Sequence, residues 1–370
     1  MSRPDFIPAP FAQIPWRVIL TIMAIGAFGL VVLYSAAGGH LRPWALSQGI
    51  RFLIFLAGAL VLSRVPEWVW RRGALPAYGI LIVLLILVEL IGAVRGGGQR
   101  WLGAGPFQLQ PSEFMKPVIV LAVAMIYDRM PPAETRRFIA VWLPAVMILF
   151  PAALIAHQPD LGTALMVVFS GIVVMFLAGV PLRLFVGGLL AAAIAAPLAV
   201  NFVLHGYQRD RIMIFLDPSR DPLGLGYHIS QSKIAIGSGG VLGKGFLNGT
   251  QSHLDYLPEG HTDFVFATMA EEWGLIGGVL LIIAFFSVIL WGIRVALNAP
   301  TRFGRLAAAG LASTLFFYVA INLGMVMGLA PVVGIPLPLV SFGGSAQMTV
   351  LICLGILMSI DRQSRIKPRF

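Results

Sequence analysis

Long apolar runs recur from one end of this 370-residue chain to the other. Ten stand out, near residues 17–37, 45–63, 74–94, 112–127, 138–157, 161–180, 184–204, 264–293, 306–329 and 339–360. A helix needs about 20 consecutive apolar residues to cross a bilayer core. The runs are continuously apolar rather than alternating, which fits helices and not a β-barrel. Charged residues make up only 11% of the chain, against about 25% in an ordinary soluble domain. That excludes a soluble enzyme, a disordered chain and a secreted disulfide scaffold. The single cysteine, Cys353, has no partner for an intrachain disulfide. The expected fold class is an all-α polytopic integral membrane protein with ten transmembrane helices. The first run is longer than a signal-peptide core and has no convincing cleavage site, so it is expected to be a retained helix.

The net charge is +10. In a soluble protein such an excess would suggest nucleic acid. Here its placement matters more. With the N-terminus in the cytoplasm, 16 of the 26 basic residues fall in cytoplasmic segments, among them Arg71, Arg72, Arg129, Arg136, Arg137, Arg302 and Arg305. This is the positive-inside pattern. Both termini are expected inside, and no nucleic-acid partner is implied. The chain reads as one domain, 1–370, containing one long external loop, 205–263, and a shorter Gly-rich one, Arg95–Pro111. A structureless loop as long as the first is improbable unless it is functional. Its segment Gly226–Ala235 is expected to form a short interfacial helix.

Charged residues in or at the edge of apolar spans are expensive and so draw functional hypotheses. Glu113 and Lys116 are three apart, so they share a helical face. They read either as a local ion pair or as a charged pair facing a cavity open to the outside. Ser112 can cap the helix that they begin, with Pro111 before it. Asp160 heads the sixth run, as a plain N-cap or as a site carboxylate. Asp263 heads the eighth and reads either as a cap or, with histidine nearby, as a general base or metal ligand. Arg100, Arg209, Arg211, Lys233 and Lys244 are external cations that would suit a phosphate-bearing substrate, or merely keep the loops soluble. The four loop histidines, His205, His228, His253 and His261, lack zinc-motif spacing. Pro336–Ser345 has two prolines and then two glycines, a broken helix start that would let Ser341 line a cavity.

Taken together, these motifs resemble the SEDS family (shape, elongation, division and sporulation), and its elongation type more than its division type. The resemblance rests on Gln99-Arg100-Trp101-Leu102, Gln110 to Lys116, Gln158 to Thr163, and Tyr207-Gln208-Arg209. It continues through Asp217-Pro218, Asp221 to Gly224, Gly226 to Ile229, Gln231 to Gly240 and Gly249 to Ser252. It ends with His261-Thr262-Asp263-Phe264 and Pro336 to Ser345. It implies a ten-helix peptidoglycan glycosyltransferase of the bacterial cytoplasmic (inner) membrane that polymerises lipid II, with undecaprenyl pyrophosphate leaving and inversion at the anomeric carbon. It places the essential loop aspartate on Asp263 and family motif positions on Glu113, Lys116, Asp160 and Trp101. It also implies a class B penicillin-binding transpeptidase as partner, within an elongation complex. A divalent cation, Mg or Mn, is a possible cofactor. The competing reading is a lipid II flippase or another lipid-linked sugar transporter, although no clear internal repeat supports an alternating-access carrier. A scaffold without activity of its own ranks third.

Overall fold

The computed structural model describes residues 14–366, apart from 96–97, 104–108, 132–133, 135–137, 203–205, 218–219, 222–223, 255 and 258. His205 lies outside the described residues. All ten apolar runs become long helices. They are α1 (Trp16–Ala36), α2 (Ala45–Leu62), α3 (Glu67–Ile91), α4 (Pro111–Arg129), α5 (Phe138–His157), α6 (Leu161–Leu177), α7 (Leu182–Phe202), α11 (Val265–Asn298), α12 (Arg302–Val326) and α13 (Gly344–Ile366). Between α3 and α4 a two-stranded antiparallel hairpin forms from β1 (Ala93–Arg95) and β2 (Gly98–Trp101). The long loop folds into α8 (Gly206–Leu216), α9 (Leu225–Gly239) and the single turn α10 (Thr250–His253). A helix is therefore present where a short interfacial one was expected at 226–235, and it runs four residues further.

Seven of the helices are long and apolar enough to cross a membrane by length and composition. This is a multi-pass membrane protein. Leu20, Leu53, Leu90, Leu189 and Ile194 are among its many exposed apolar side chains, a coat that only lipid would cover. The helix α4 is not among the seven, because Glu113, Lys116, Asp128 and Arg129 give it too much charge for a lipid-facing span; it is buried by protein instead. It packs against α3, α5, α6, α12 and α13, and nearly every residue from Pro111 to Tyr127 is buried. A helix surrounded by other helices can carry charges that a lipid-facing one cannot. Its start differs from the sequence expectation. Pro111 is itself the first helical residue and Gln110 the N-cap, so Ser112 lies inside the first turn and caps nothing. Proline at that position loses no hydrogen bond, since the first N–H groups have no intrahelical partner.

The feature that positions the long loop is a break in α11. Gly274 has φ 62° and ψ −161°, which interrupts the ladder. The freed groups pair with the loop. Lys244 and Gly245 N–H donate to the Glu271 and Glu272 carbonyls at 3.0 Å each, and Leu275 and Ile276 N–H donate to Gly240 and Val241 carbonyls at 2.9 and 3.2 Å. In hydrocarbon an irregular backbone survives only when protein satisfies it in this way. The helix α9 packs on the same stretch through Ile229, Ser232, Ala235 and Gly239, a buried stripe at helical spacing. A Cβ on Gly239 would come within 2.1 Å of the Ala270 carbonyl oxygen. We expect Gly274→Ala to lower the melting temperature of the purified protein. The left-handed backbone alone costs a non-glycine residue about 1–2 kcal/mol, and the new Cβ would meet Gly243 N at 2.4 Å. An unchanged melt would show that the break is not required.

Candidate functional site

Asp160 and Asp263 have the same local sequence reading, and the structure separates them. Asp160 is a true N-cap: its carboxylate accepts from Thr163 N–H at 3.1 Å. It also accepts from Gln110 Nε2 at 2.9 Å. Asp263 is not a cap. The N-cap of α11 is Phe264, and no side chain caps that helix. The Asp263 carboxyl is therefore not spent on its own helix.

The turn bearing Asp263 is held from below. Asn322 Nδ2 donates to the Asp263 carbonyl at 2.9 Å and to the Ile335 carbonyl at 2.7 Å. Ser341 Oγ donates to the Thr262 carbonyl at 2.6 Å and accepts from Leu337 N–H at 2.8 Å. Phe342 N–H donates to the His261 carbonyl at 2.9 Å. So Ser341 ties the broken segment before α13 to the Asp263 turn, and its hydroxyl is fully engaged there. On the other side, the His261 ring stacks on Trp44 at 3.9 Å between centroids. A cavity of about 270 Å³ opens beside the turn, lined by Trp44, Ser252, Leu257, Glu259, His261 and Thr268.

Burial pushes the Asp263 carboxyl up from 3.8 to about 6. The nearby Glu259 charge pushes the same way, as does Asp160 more weakly, while Arg211 and Arg100 oppose it. A carboxylate titrating near neutrality is suited to accept a proton and later release it. Burial also lowers His261 and His228, so both favour the neutral imidazole despite nearby Glu259.

The cations expected to be external do not act as one set. Arg211 Nη1 donates to the Val332 carbonyl at 3.1 Å, two residues before Gly334, which lies against Asp263. Arg100 Nε donates to the Gln158 carbonyl at 3.1 Å, and its Nη2 to the Pro159 carbonyl. It thereby clamps the loop that ends at Asp160. Arg209 is exposed on α8. Two residues from Arg211, it points elsewhere on the helix. The exposed Lys233 lies over the Gly328 turn. Lys244 is spent on the buried Glu271 at 2.6 Å, with Thr250 and Gln251 closing on the same carboxylate. Trp101 is half-buried in β2. Among the described residues, no three His, Cys, Asp or Glu side chains gather as metal ligands.

Glu113 and Lys116 do pair, at 2.6 Å, but they do not face an open cavity: they are 5% and 1% exposed. Their third partner was not foreseen. Tyr318 of α12 donates to Glu113 Oε2 at 2.7 Å and accepts from Lys116 Nζ at 2.8 Å. The ammonium also lies 4.4 Å from the Tyr318 ring centroid. The three groups close a triangle that fastens α4 to α12. Tyr318 and Asn322 lie four apart on α12, and the polar Asn322 inside an apolar run was the available signal. Breaking such a pair from one side leaves an uncompensated buried charge, at roughly 3–5 kcal/mol. We expect Lys116→Met to lower the melting temperature sharply and the added Glu113→Gln to restore part of the loss. Strict additivity in thermal melts of the three variants would count against the triangle.

The family model described as cell cycle protein (FtsW, RodA, SpoVE) matches residues 15–366. The chain is 44% identical over 345 residues to the peptidoglycan glycosyltransferase MrdB of Escherichia coli (strain K12), covering 93% of this chain and 92% of MrdB. It is 37% identical over 370 residues to stage V sporulation protein E of Bacillus subtilis (strain 168), covering 94% and 96%. Among solved structures, a chain of a peptidoglycan synthase complex that coordinates polymerization and crosslinking superposes with a TM-score of 0.83, at 35% identity and covering 96% and 99%. The rod shape determining protein RodA of Thermus thermophilus superposes with a TM-score of 0.71, at 30% identity and covering 97% and 99%.

Proposed function

The chain belongs to the cell cycle protein family of FtsW, RodA and SpoVE, and from that premise we propose that it is a peptidoglycan glycosyltransferase that polymerises lipid II during cell elongation. The observation that carries the assignment of its base is Asp263: a raised carboxyl that caps nothing, on a turn fastened by Asn322, Ser341 and Phe342.

The chemistry places three demands on the site. The 4-hydroxyl of the acceptor N-acetylglucosamine must lose a proton as it attacks the anomeric carbon of the donor N-acetylmuramic acid. Asp263 takes that proton, the C1–O bond to the lipid pyrophosphate breaks, and the new glycosidic bond forms with inversion. The pyrophosphate leaves with negative charge, which fixed cations stabilise better than water does. Arg211 and Arg100 are the best placed for this, since their charges already reach Asp263. Lys233 and Arg209 lie farther out and would guide the diphosphate. Asp160 holds the neighbouring loop, and Trp101 follows Arg100 at the end of β2. Glu113 and Lys116 act at a distance, by keeping α4 and α12 in register under Asn322. A divalent cation such as Mg or Mn fits as a companion of the substrate diphosphate rather than in an all-protein cage. There it would neutralise phosphate charge.

In this reading ten helices span the bacterial inner membrane, with both termini cytoplasmic, and the chain is one domain in which 205–263 faces outward. A class B penicillin-binding transpeptidase of the elongation complex is the proposed partner. The likeness to a solved peptidoglycan synthase complex supports it.

Asp263→Asn keeps the shape and removes the base. We expect polymerisation of purified lipid II to fall by roughly 10²–10⁴-fold, with the melting temperature not reduced. Full polymerisation by that variant in the presence of the transpeptidase would remove Asp263 from the chemistry. Transbilayer movement of lipid II in proteoliposomes without glycan chains would favour the flippase instead.

A further inference from the structure

At the far end of α11 from Asp263 lies a second cavity, of about 430 Å³. Three helices supply its polar lining: Arg17 from α1, Arg294 and Trp291 from α11, and Arg365 from α13. Among the described residues, no acidic side chain lines it. Arg365 is partly neutralised by Asp361 at 2.7 Å. Arg17 and Arg294 have no acidic partner among the described residues. The Trp291 Nε1 donor is buried and likewise has no hydrogen-bond acceptor among them. Trp16, 45% exposed, also lines it. The apolar part of the lining includes Val288, Ile14 and Val18.

We propose that this cavity binds the phosphate headgroup of an anionic phospholipid. Two arginines with no acidic partner among the described residues, beside a third that Asp361 partly neutralises, attract an anion, and a basic pocket between spanning helices at the membrane surface suits a lipid phosphate. The arginines can each offer two parallel N–H groups to phosphate oxygens. Trp291 supplies a further buried donor. Tryptophan at the boundary of the hydrocarbon is the usual anchor there. A phospholipid also accounts for the mixed lining: its phosphate meets the arginines while its acyl chains follow the exposed apolar faces of α1 and α11. A free phosphate would use only the polar half. The inference rests on the membrane fold and not on the glycosyltransferase reading, so its test does not use polymerisation.

The full chain, purified and delipidated, would be titrated with phosphatidylglycerol or with phosphatidylcholine of the same acyl chains, and bound lipid read by native mass spectrometry. We expect phosphatidylglycerol to be retained roughly 25-fold better. Arg17→Gln with Arg294→Gln should bring the two lipids level, each arginine contributing roughly fivefold. Trp291→Phe keeps the ring and should weaken phosphatidylglycerol alone. Arg17 and Arg294 are both exposed, so either single variant can replace the double one should that fail to fold, and should show a smaller loss of the same kind. Unchanged lipid preference in folded arginine variants would overturn the proposal. So would displacement of phosphatidylglycerol by millimolar inorganic phosphate, which would identify a soluble anion as the ligand.

Discussion

Backbone polar groups inside an apolar bundle must be satisfied by the protein itself, and the region around Asp263 depends on that constraint. Two stretches there are irregular: the break at Gly274 and the segment from Val332 to Gly343 that precedes α13. Neither would persist alone in hydrocarbon. The first is closed by the backbone of Gly240–Gly245, the second by Gln48, Asn322 and Ser341. Gln48 reaches the second across 293 residues of sequence, while Asn322 and Ser341 are near neighbours of it. This end of the bundle is thus fastened as one unit, and the Asp263 turn is part of that unit.

A carboxyl in such surroundings costs stability when it ionises. The ordinary value of 3.8 rises to about 6, so the folded state holds its proton over a range where the unfolded chain has lost it. Folding stability from this group therefore falls as pH rises from about 4 to about 6. Fixed groups that oppose stability are a mark of sites kept for chemistry. Asp160 is the counterexample a few residues away in space: its carboxylate is occupied by Thr163 and Gln110.

The fold was legible in the sequence where the signal was local. Each continuous apolar run became a helix, and α9 arose where a short interfacial helix was expected. The hairpin β1–β2 and helix α8 were not foreseen, because neither carries an apolar periodicity strong enough to read. The Gly274 break was hidden because the glycine sits in an apolar run whose loop partner lies some 30 residues earlier. The site was legible in its residue types and not in its contacts. Spacing paired Glu113 with Lys116, but Tyr318 stands 205 residues from Glu113. Glu271 and Glu272 stand side by side in an apolar run, but their work, holding the loop around Lys244 and reaching Ser35, exists only in the fold. No local rule separates Asp160 from Asp263, since both precede a helix.

The central claim is that Asp263 acts as a base whose carboxyl is lifted by burial and by Glu259. The most direct measurement is the pH dependence of lipid II polymerisation by the wild type, Glu259→Gln and Arg211→Gln. Only the charged carboxylate accepts a proton, so the rate should rise with pH along a limb near 6. Removing the Glu259 charge should move that limb down, and removing the Arg211 charge should move it up. A limb near the ordinary carboxylate range, or one that stays in place in both variants, would contradict the assignment.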